Sequence, residues 1–280
     1  MSLRKIKLAS GEFIPEIGCG TYLEEDDECY QSVLNALKEG YRHIDTAEFY
    51  GNEEEVGKAI KDSNIPRKEI FVTTKIRNTN RGYEKAKKAF EKSLEKLDLE
   101  YVDLLLIHWP ANEKQFGDQR DDINHDTWRA LEDIYKEGKA KSIGVSNFLK
   151  HHISSIVRKT KLIPMVDQIE LHPGHVDLGL INYLNNKGIV IEAWSPLGRG
   201  ELLTNPLVFE LANKYNKTPA QILIRFIIEL GAVPIVKSKT LNRIKENLDY
   251  NDFELEENDM QKLIELDTGK KYKNPDEIDF

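Results

Sequence analysis

The sequence predicts an α/β fold: a (β/α)8 TIM barrel with an N-terminal β-hairpin and an extra C-terminal helix. Three observations lead there. Short apolar runs alternate with helical patterns along nearly the whole chain, giving eight strand-helix units after the hairpin. The length, 280 residues, is close to the roughly 250 typical of such a closed barrel. Finally, an open doubly wound sheet normally carries a glycine-rich first turn, and this chain lacks one. Gly18-Cys19-Gly20-Thr21-Tyr22-Leu23 begins that motif and then places Leu23 where the third glycine belongs. No Walker-type loop occurs either. A single barrel domain over residues 1–280 is expected.

Taken in order, Lys5 to Leu8 and Glu12 to Pro15, joined by Ala9-Ser10-Gly11, read as the hairpin. Glu16 to Gly20 is a short strand, and Asp26 to Glu39 is a helix closed by Gly40. Tyr41 to Asp45 is a strand, and Asn52 can cap the next helix, whose first turn, Glu53-Glu54-Glu55, suits the positive end of a helix dipole. Ile70 to Thr74 runs into Lys75 and precedes a helix from Tyr83 to Leu97, where Phe90, Leu94 and Leu97 recur at helical spacing. Val102 to Ile107 runs into His108, followed by a polar loop and a helix over Asp126 to Glu137.

In the second half, Lys141 to Ser146, Met165 to Glu170 and Ile189 to Trp194 are strands. Helices over Leu149 to Lys159 and Asp177 to Lys187 separate them. The loop from Ser195 to Gly200 leads to helices over Pro206 to Tyr215 and Thr218 to Leu230. Thr218-Pro219 is a cap followed by proline at the first helical position, with Gly231 just past the end. Ala232 to Val236 is the last strand, and Thr240 to Leu248 its helix. Glu256 to Leu266 is the extra helix, and Gly269 to Phe280 is a polar tail.

The net charge of -8 gives no general attraction to nucleic acid. No apolar run is long enough to cross a bilayer, and the polar start of the chain does not read as a signal peptide. With only Cys19 and Cys29, a disulfide framework is not expected, and a reducing cytoplasm fits.

The ends of three consecutive strands carry the chemistry. Asp45, Lys75 and His108 end them, and Tyr50 lies on the loop after the first. In a barrel they meet at the rim where active sites form. A free phenol has a pKa of about 10, and a neighbouring cation lowers it. Lys75 can supply that charge, Asp45 can hold Lys75, and His108 can orient a carbonyl oxygen. The set suits proton delivery to an oxygen becoming an alkoxide. Each group alone has a plainer reading: a structural ion pair, a loop tyrosine, a core histidine.

These residues bring the sequence close to a known family. From about Lys5 to about Leu266 it resembles the aldo-keto reductases, in particular a microbial branch that includes diketogluconate reductases. Three motifs carry the resemblance: Gly40 to Gly57; Lys141-Ser142-Ile143-Gly144-Val145-Ser146-Asn147-Phe148; and Ile235-Val236-Lys237-Ser238 with Arg243, Glu246 and Asn247 behind it. The resemblance implies NADPH-dependent reduction of small aldehydes or ketones in a monomer. It implies that Tyr50 is the general acid, that Lys75 and Asp45 tune it, and that His108 orients the substrate.

It also implies that Ser146, Asn147 and Gln168 bind the nicotinamide carboxamide, with Gly20 and Thr21 nearby. Trp194 takes the place where most members stack a tyrosine on the ring. Ser195 and Leu197 match the loop over the pyrophosphate. Lys237, Ser238 and Arg243, with Glu246 and Asn247, match the end that takes the 2'-phosphate. Two cations and a hydroxyl near a helix start also make an anion site on general grounds. Val236 precedes Lys237 where the family often has proline, a change expected to alter local backbone shape and leave the phosphate contact intact.

Tyr22, Trp109, the loop from Ala111 to Asn124 and the tail from Lys270 are expected around the substrate. The short tail favours an open pocket. His172-Pro173-Gly174-His175 lacks a third metal ligand at suitable spacing and reads as a loop. His151-His152 opens a surface helix, and Glu24 to Glu28 reads as a solvated helix start. Two rival functions are a cofactor-sensing module without useful catalysis and a barrel lyase with a Schiff base on Lys75.

Overall fold

The computed structural model describes residues 3–160, 162–270 and 273–280. Eight parallel strands close a barrel: β3 (Gly18–Gly20), β4 (His43–Asp45), β5 (Phe71–Ile76), β6 (Leu104–Ile107), β7 (Ile143–Ser146), β8 (Val166–Glu170), β9 (Val190–Trp194) and β10 (Ala232–Val236). Each pairs with the next, and β10 returns to β3, with Ile235 opposite Gly18. Closure leaves the barrel itself without an unpaired strand edge. The antiparallel pair β1 (Lys5–Lys7) and β2 (Phe13–Pro15) forms the expected hairpin. Leu8 and Ile14 from its turn and second strand pack with Phe71, Leu104, Leu106 and Val166 as a small apolar cluster of their own. Phe71, Leu104 and Val166 begin their strands, so the hairpin plugs the end of the barrel opposite the chemistry.

Helices α1 (Asp26–Glu39), α2 (Glu53–Asp62), α3 (Tyr83–Leu97), α4 (Glu113–Phe116), α5 (Arg120–Lys136), α6 (Lys150–Lys159), α7 (Leu178–Asn186), α8 (Pro206–Tyr215), α9 (Pro219–Glu229), α10 (Leu241–Glu246) and α11 (Glu257–Ile264) account for the rest. Their buried apolar faces and the outward side chains of the strands make the main core, with Trp128, Phe90, Phe148 and Phe226 among its fully buried members. Gly40 ends α1 at φ +112°, its N–H bonded back to the last turn. Thr218 and Gln221 form a reciprocal capping box on α9, and Pro219 opens the helix.

Four local expectations are corrected. Asn52 does not cap α2 with its side chain. Its Nδ2 donates to the carbonyls of Thr21 and Glu24, and its Oδ1 accepts from Thr46 Oγ1, so it ties the loop after β3 to the loop after β4. Glu24 is buried and accepts from Ser32 Oγ; burial pushes its carboxyl up to about 7. The polar stretch before Asp126 is not all loop: α4 lies within it and α5 starts at Arg120, because Asn112 caps α4 by accepting from Gln115 N–H at 3.0 Å. His152 is buried beside exposed His151, its Nδ1 accepting from Leu149 N–H at 3.1 Å at the start of α6. Positions 271 and 272 of the predicted tail lie outside the described residues, as do positions 1 and 2.

The glycine inside the second motif has a steric cause. A Cβ on Gly144 would sit 2.4 Å from the Val166 carbonyl oxygen on the paired strand. Backbone must move to admit it, so Gly144→Ala is expected to cost about 1–3 kcal/mol. A melting temperature within a degree of the parent would contradict this.

Candidate active site

The rim is built from strand ends in register. Asp45 closes β4 opposite Thr73, and Lys75 stands one residue before the end of β5 opposite Leu106. His108 follows β6 directly. Tyr50 ends a single 3-10 turn, Glu48–Tyr50, stopped by Gly51 at φ +74°. That turn brings the phenol back over the barrel mouth.

The four groups expected to meet do meet. Lys75 Nζ donates to Asp45 Oδ1 at 2.6 Å, to the Thr46 carbonyl at 3.0 Å and to Tyr50 Oη at 3.4 Å. Its three hydrogens have three partners. The Tyr50 ring meets His108 nearly edge-on, centroids 5.7 Å apart at 75°. Tyr22, exposed at the mouth, lies 5.0 Å from Tyr50 on another side. Thr21 holds the Asp45 carbonyl with both its N–H, at 3.0 Å, and its hydroxyl, at 3.2 Å.

The electrostatics differ from the expectation in one respect. Burial pushes the Tyr50 phenol up, to about 12, and the pull of Lys75 recovers only part of that. Lys75 lowers the phenol's pKa as predicted in direction, but desolvation wins. Burial acts to lower Lys75, yet Asp45 and Tyr50 outweigh it and hold the ammonium above its ordinary value. Burial and the Lys75 charge keep His108 well below 6.5, hence neutral.

Beside this group lies a second set of polar side chains. Asn147, at φ +64°, donates through Nδ2 to the His108 carbonyl and to Ser146 Oγ, each at 3.0 Å. Its Oδ1 accepts from the Trp194 indole N–H at 2.8 Å. Ser146 Oγ donates to the Gln168 carbonyl at 2.7 Å. Gln168 Nε2 donates to Asp45 Oδ2 at 2.8 Å, and its Oε1 has no hydrogen-bond partner among the described residues. Tryptophan at position 194 thus contributes an N–H that fixes Asn147, in addition to an aromatic face. Gly20 ends β3 beside Asp45, Ser195 adopts φ +53° after β9, and Leu197 is half-buried in the loop that follows.

Lys237 and Ser238 lie directly past the end of β10, and Arg243 is in α10. Lys237 and Arg243 are exposed and make no ion pair among the described residues. Ser238 is buried, and its hydroxyl has no hydrogen-bond partner among the described residues. Glu246 offers its carbonyl to Gln221 Nε2 at 3.2 Å, and Asn247 is buried. Unpaired cations beside an orphaned hydroxyl fit an anionic group. The free Gln168 oxygen fits an amide donor.

Several contributors were not anticipated. Glu192 and His43 lie fully buried under the Asp45–Lys75 pair. Their signal was a charged residue inside an otherwise apolar central strand. Arg81, buried, donates to the Pro110 carbonyl at 2.8 Å and to that of Trp109 at 3.3 Å, so it holds the loop after His108. The tail, by contrast, was expected around the pocket, and it crosses the mouth: Asn112 Nδ2 donates to the carbonyls of Pro275 and Ile278, each at 2.9 Å. The Phe280 ring meets Trp109 edge-on at 5.5 Å. Trp109 is therefore largely covered, and the pocket is less open than the tail length suggests.

His151, His152 and Asp276 place three possible metal ligands within 4.8 Å of one another. His152 Nδ1 already accepts from Leu149 N–H, which puts its proton on Nε2, the atom 3.0 Å from Asp276 Oδ1. A metal needs that lone pair free. The trio anchors the tail to α6 instead.

A parallel barrel whose rim joins a phenol, a paired ammonium and an imidazole, next to a cradle of amides and an indole, defines an oxidoreductase of the carbonyl-reducing class. The chain belongs to the aldo/keto reductase family, whose model matches residues 16–268. It is 45% identical over 277 residues to glyoxal reductase of Bacillus subtilis, covering 98% of this chain and 97% of that protein. An aldo-keto reductase from a Medee basin deep-sea metagenome library has a similar structure, with a TM-score of 0.92 at 46% identity, covering 98% of this chain and 100% of that one. A variant of Gox0644 in complex with NADPH matches at TM-score 0.91 and 37% identity over 100% of both chains. Among the described residues no helix is long and apolar enough to cross a membrane.

Proposed function

We propose that the protein reduces a small aldehyde or ketone to the alcohol with NADPH, and that Tyr50 delivers the proton. The observation that carries this reading is the Tyr50 hydroxyl 3.4 Å from a Lys75 ammonium that is itself fixed 2.6 Å from Asp45. When bound, the dihydronicotinamide supplies hydride to the carbonyl carbon. Neutral His108 orients the carbonyl oxygen towards Tyr50. As charge builds on that oxygen, Tyr50 gives it a proton, and Lys75 stabilises the phenolate left behind. Ser146, Asn147 and Gln168 would hold the carboxamide, Trp194 the ring face, and Lys237, Ser238 and Arg243 the 2'-phosphate. Relatives named for glyoxal point to small dicarbonyls as first substrates.

Loss of NADPH absorbance with methylglyoxal or phenylglyoxal tests the reading; a purified, folded protein that oxidises no NADPH with any carbonyl of a broad panel contradicts it. The Schiff-base alternative finds no support here, because a charged Lys75 with all three hydrogens engaged lacks the lone pair such chemistry needs.

Arg243→Ala tests the phosphate assignment. Losing one charged contact to the 2'-phosphate is expected to weaken NADPH by about tenfold or more while NADH changes less than about twofold. Equal losses for both dinucleotides contradict it.

A further inference from the structure

Beneath the Asp45–Lys75 pair the barrel holds an acid that the proposed reaction leaves unused. Glu192 lies on β9 two residues before Trp194, and its side chain is fully buried. Its Oε2 accepts from Gln168 Nε2 at 2.8 Å, and the same nitrogen donates to Asp45 Oδ2 at 2.8 Å. Its Oε1 faces His43 Nε2 at 3.4 Å, and that nitrogen also lies 3.1 Å from Thr73 Oγ1. One amide nitrogen therefore engages two carboxyl groups, one from β4 and one from β9.

The consequence concerns the other end of the amide. A primary amide can turn over and exchange its donor end for its acceptor end. At Gln168 that turn would set a carbonyl oxygen against the Asp45 carboxylate and take the N–H donor away from both carboxyl groups. With Asp45 and Glu192 in place, Oε1 is left as the acceptor, on a residue paired with Ser146 on one strand and with Glu192 on the other. Burial and the charge of Asp45 push Glu192 up to about 8, with Lys75 pulling the other way. Burial lowers His43 to about 3. In neutral solution Glu192 keeps its proton, its Oε2 accepts from Gln168, and Asp45 remains the carboxylate paired to Lys75.

We propose that Glu192 is a positioning residue: with Asp45 it locks the Gln168 amide so that Oε1 is presented to the N–H of the cofactor carboxamide. The inference rests on the NADPH reading above. It predicts an effect confined to dinucleotides that carry that N–H.

The test is equilibrium binding, followed by tryptophan fluorescence, of NADPH and of its reduced 3-acetylpyridine analogue, in which a methyl group replaces the amide nitrogen. Glu192→Leu removes one of the two acceptors, leaves Gln168 held by Asp45 alone and so less firmly oriented, and is expected to weaken NADPH by about fivefold while the analogue changes less than about twofold. Glu192→Gln keeps an acceptor oxygen and should restore NADPH affinity to within about twofold of the parent. If Glu192→Leu does not fold, Glu192→Met, unbranched and apolar, carries the same expectation. Equal weakening of both dinucleotides, or unchanged NADPH binding in the apolar variant, overturns the role of Glu192. A parent protein that binds neither dinucleotide overturns the cofactor reading itself and this inference with it.

Discussion

Tyr50→Phe is expected to lower turnover by about 10²–10⁴ while NADPH affinity stays within about twofold. The substitution removes one oxygen and keeps the ring, so the packing against Tyr22 at 5.0 Å and against His108 at 5.7 Å survives. What is lost is the hydroxyl that Lys75 Nζ contacts at 3.4 Å. The pH dependence should bear the same mark. Because burial places the Tyr50 phenol at about 12 in spite of Lys75, the acid form dominates at ordinary pH. Reduction should then be nearly flat from about pH 5.5 to about pH 7, below most of the range where Glu192 ionises. Oxidation of the alcohol needs the phenolate and should climb with pH over that span. A Phe variant within tenfold of the parent, or reduction that rises with pH, removes Tyr50 from its role.

The framework of that site was legible because strands announce themselves locally. Asp45, Lys75 and His108 each close an apolar run, and parallel neighbours in a closed barrel must bring such ends to one rim. Capping chemistry was legible for the same reason: Thr218 and Pro219 act within one turn, and the structure adds Gln221 to them. Contacts across the barrel were not. Period-two alternation puts Gln168 and Glu192 on inward positions, but only the register sets them opposite each other and within reach of Asp45. Asn52 had the right type and place for a cap, and three partners in two loops claimed its side chain instead. Nothing local to Phe280 foretold its seat on Trp109, since that contact joins two residues far apart in the chain. The sign of the Tyr50 shift was missed because a neighbouring cation can be guessed from sequence, whereas the depth of burial competing with it cannot.

Lys75→Met should damage the protein in two separable ways. The Lys75–Asp45 pair is buried, with side-chain exposures of 0% and 4%. Removing one partner leaves Asp45 held by Gln168 Nε2 alone, in an interior that already contains Glu192. Breaking such a pair costs about 3–5 kcal/mol, equivalent to a melting temperature lower by roughly 10 °C in a domain of this size. Turnover should fall to background as well, since the phenolate loses its stabilising charge. The double variant Asp45→Asn/Lys75→Met tells the two effects apart. It leaves no unpaired carboxylate at position 45, so most of the lost stability should return, while turnover should stay at background. Recovery of both together would mean that the ammonium serves the fold alone. Failure to recover stability would mean that the cost of Lys75→Met lies in packing around the lysine and not in the stranded charge.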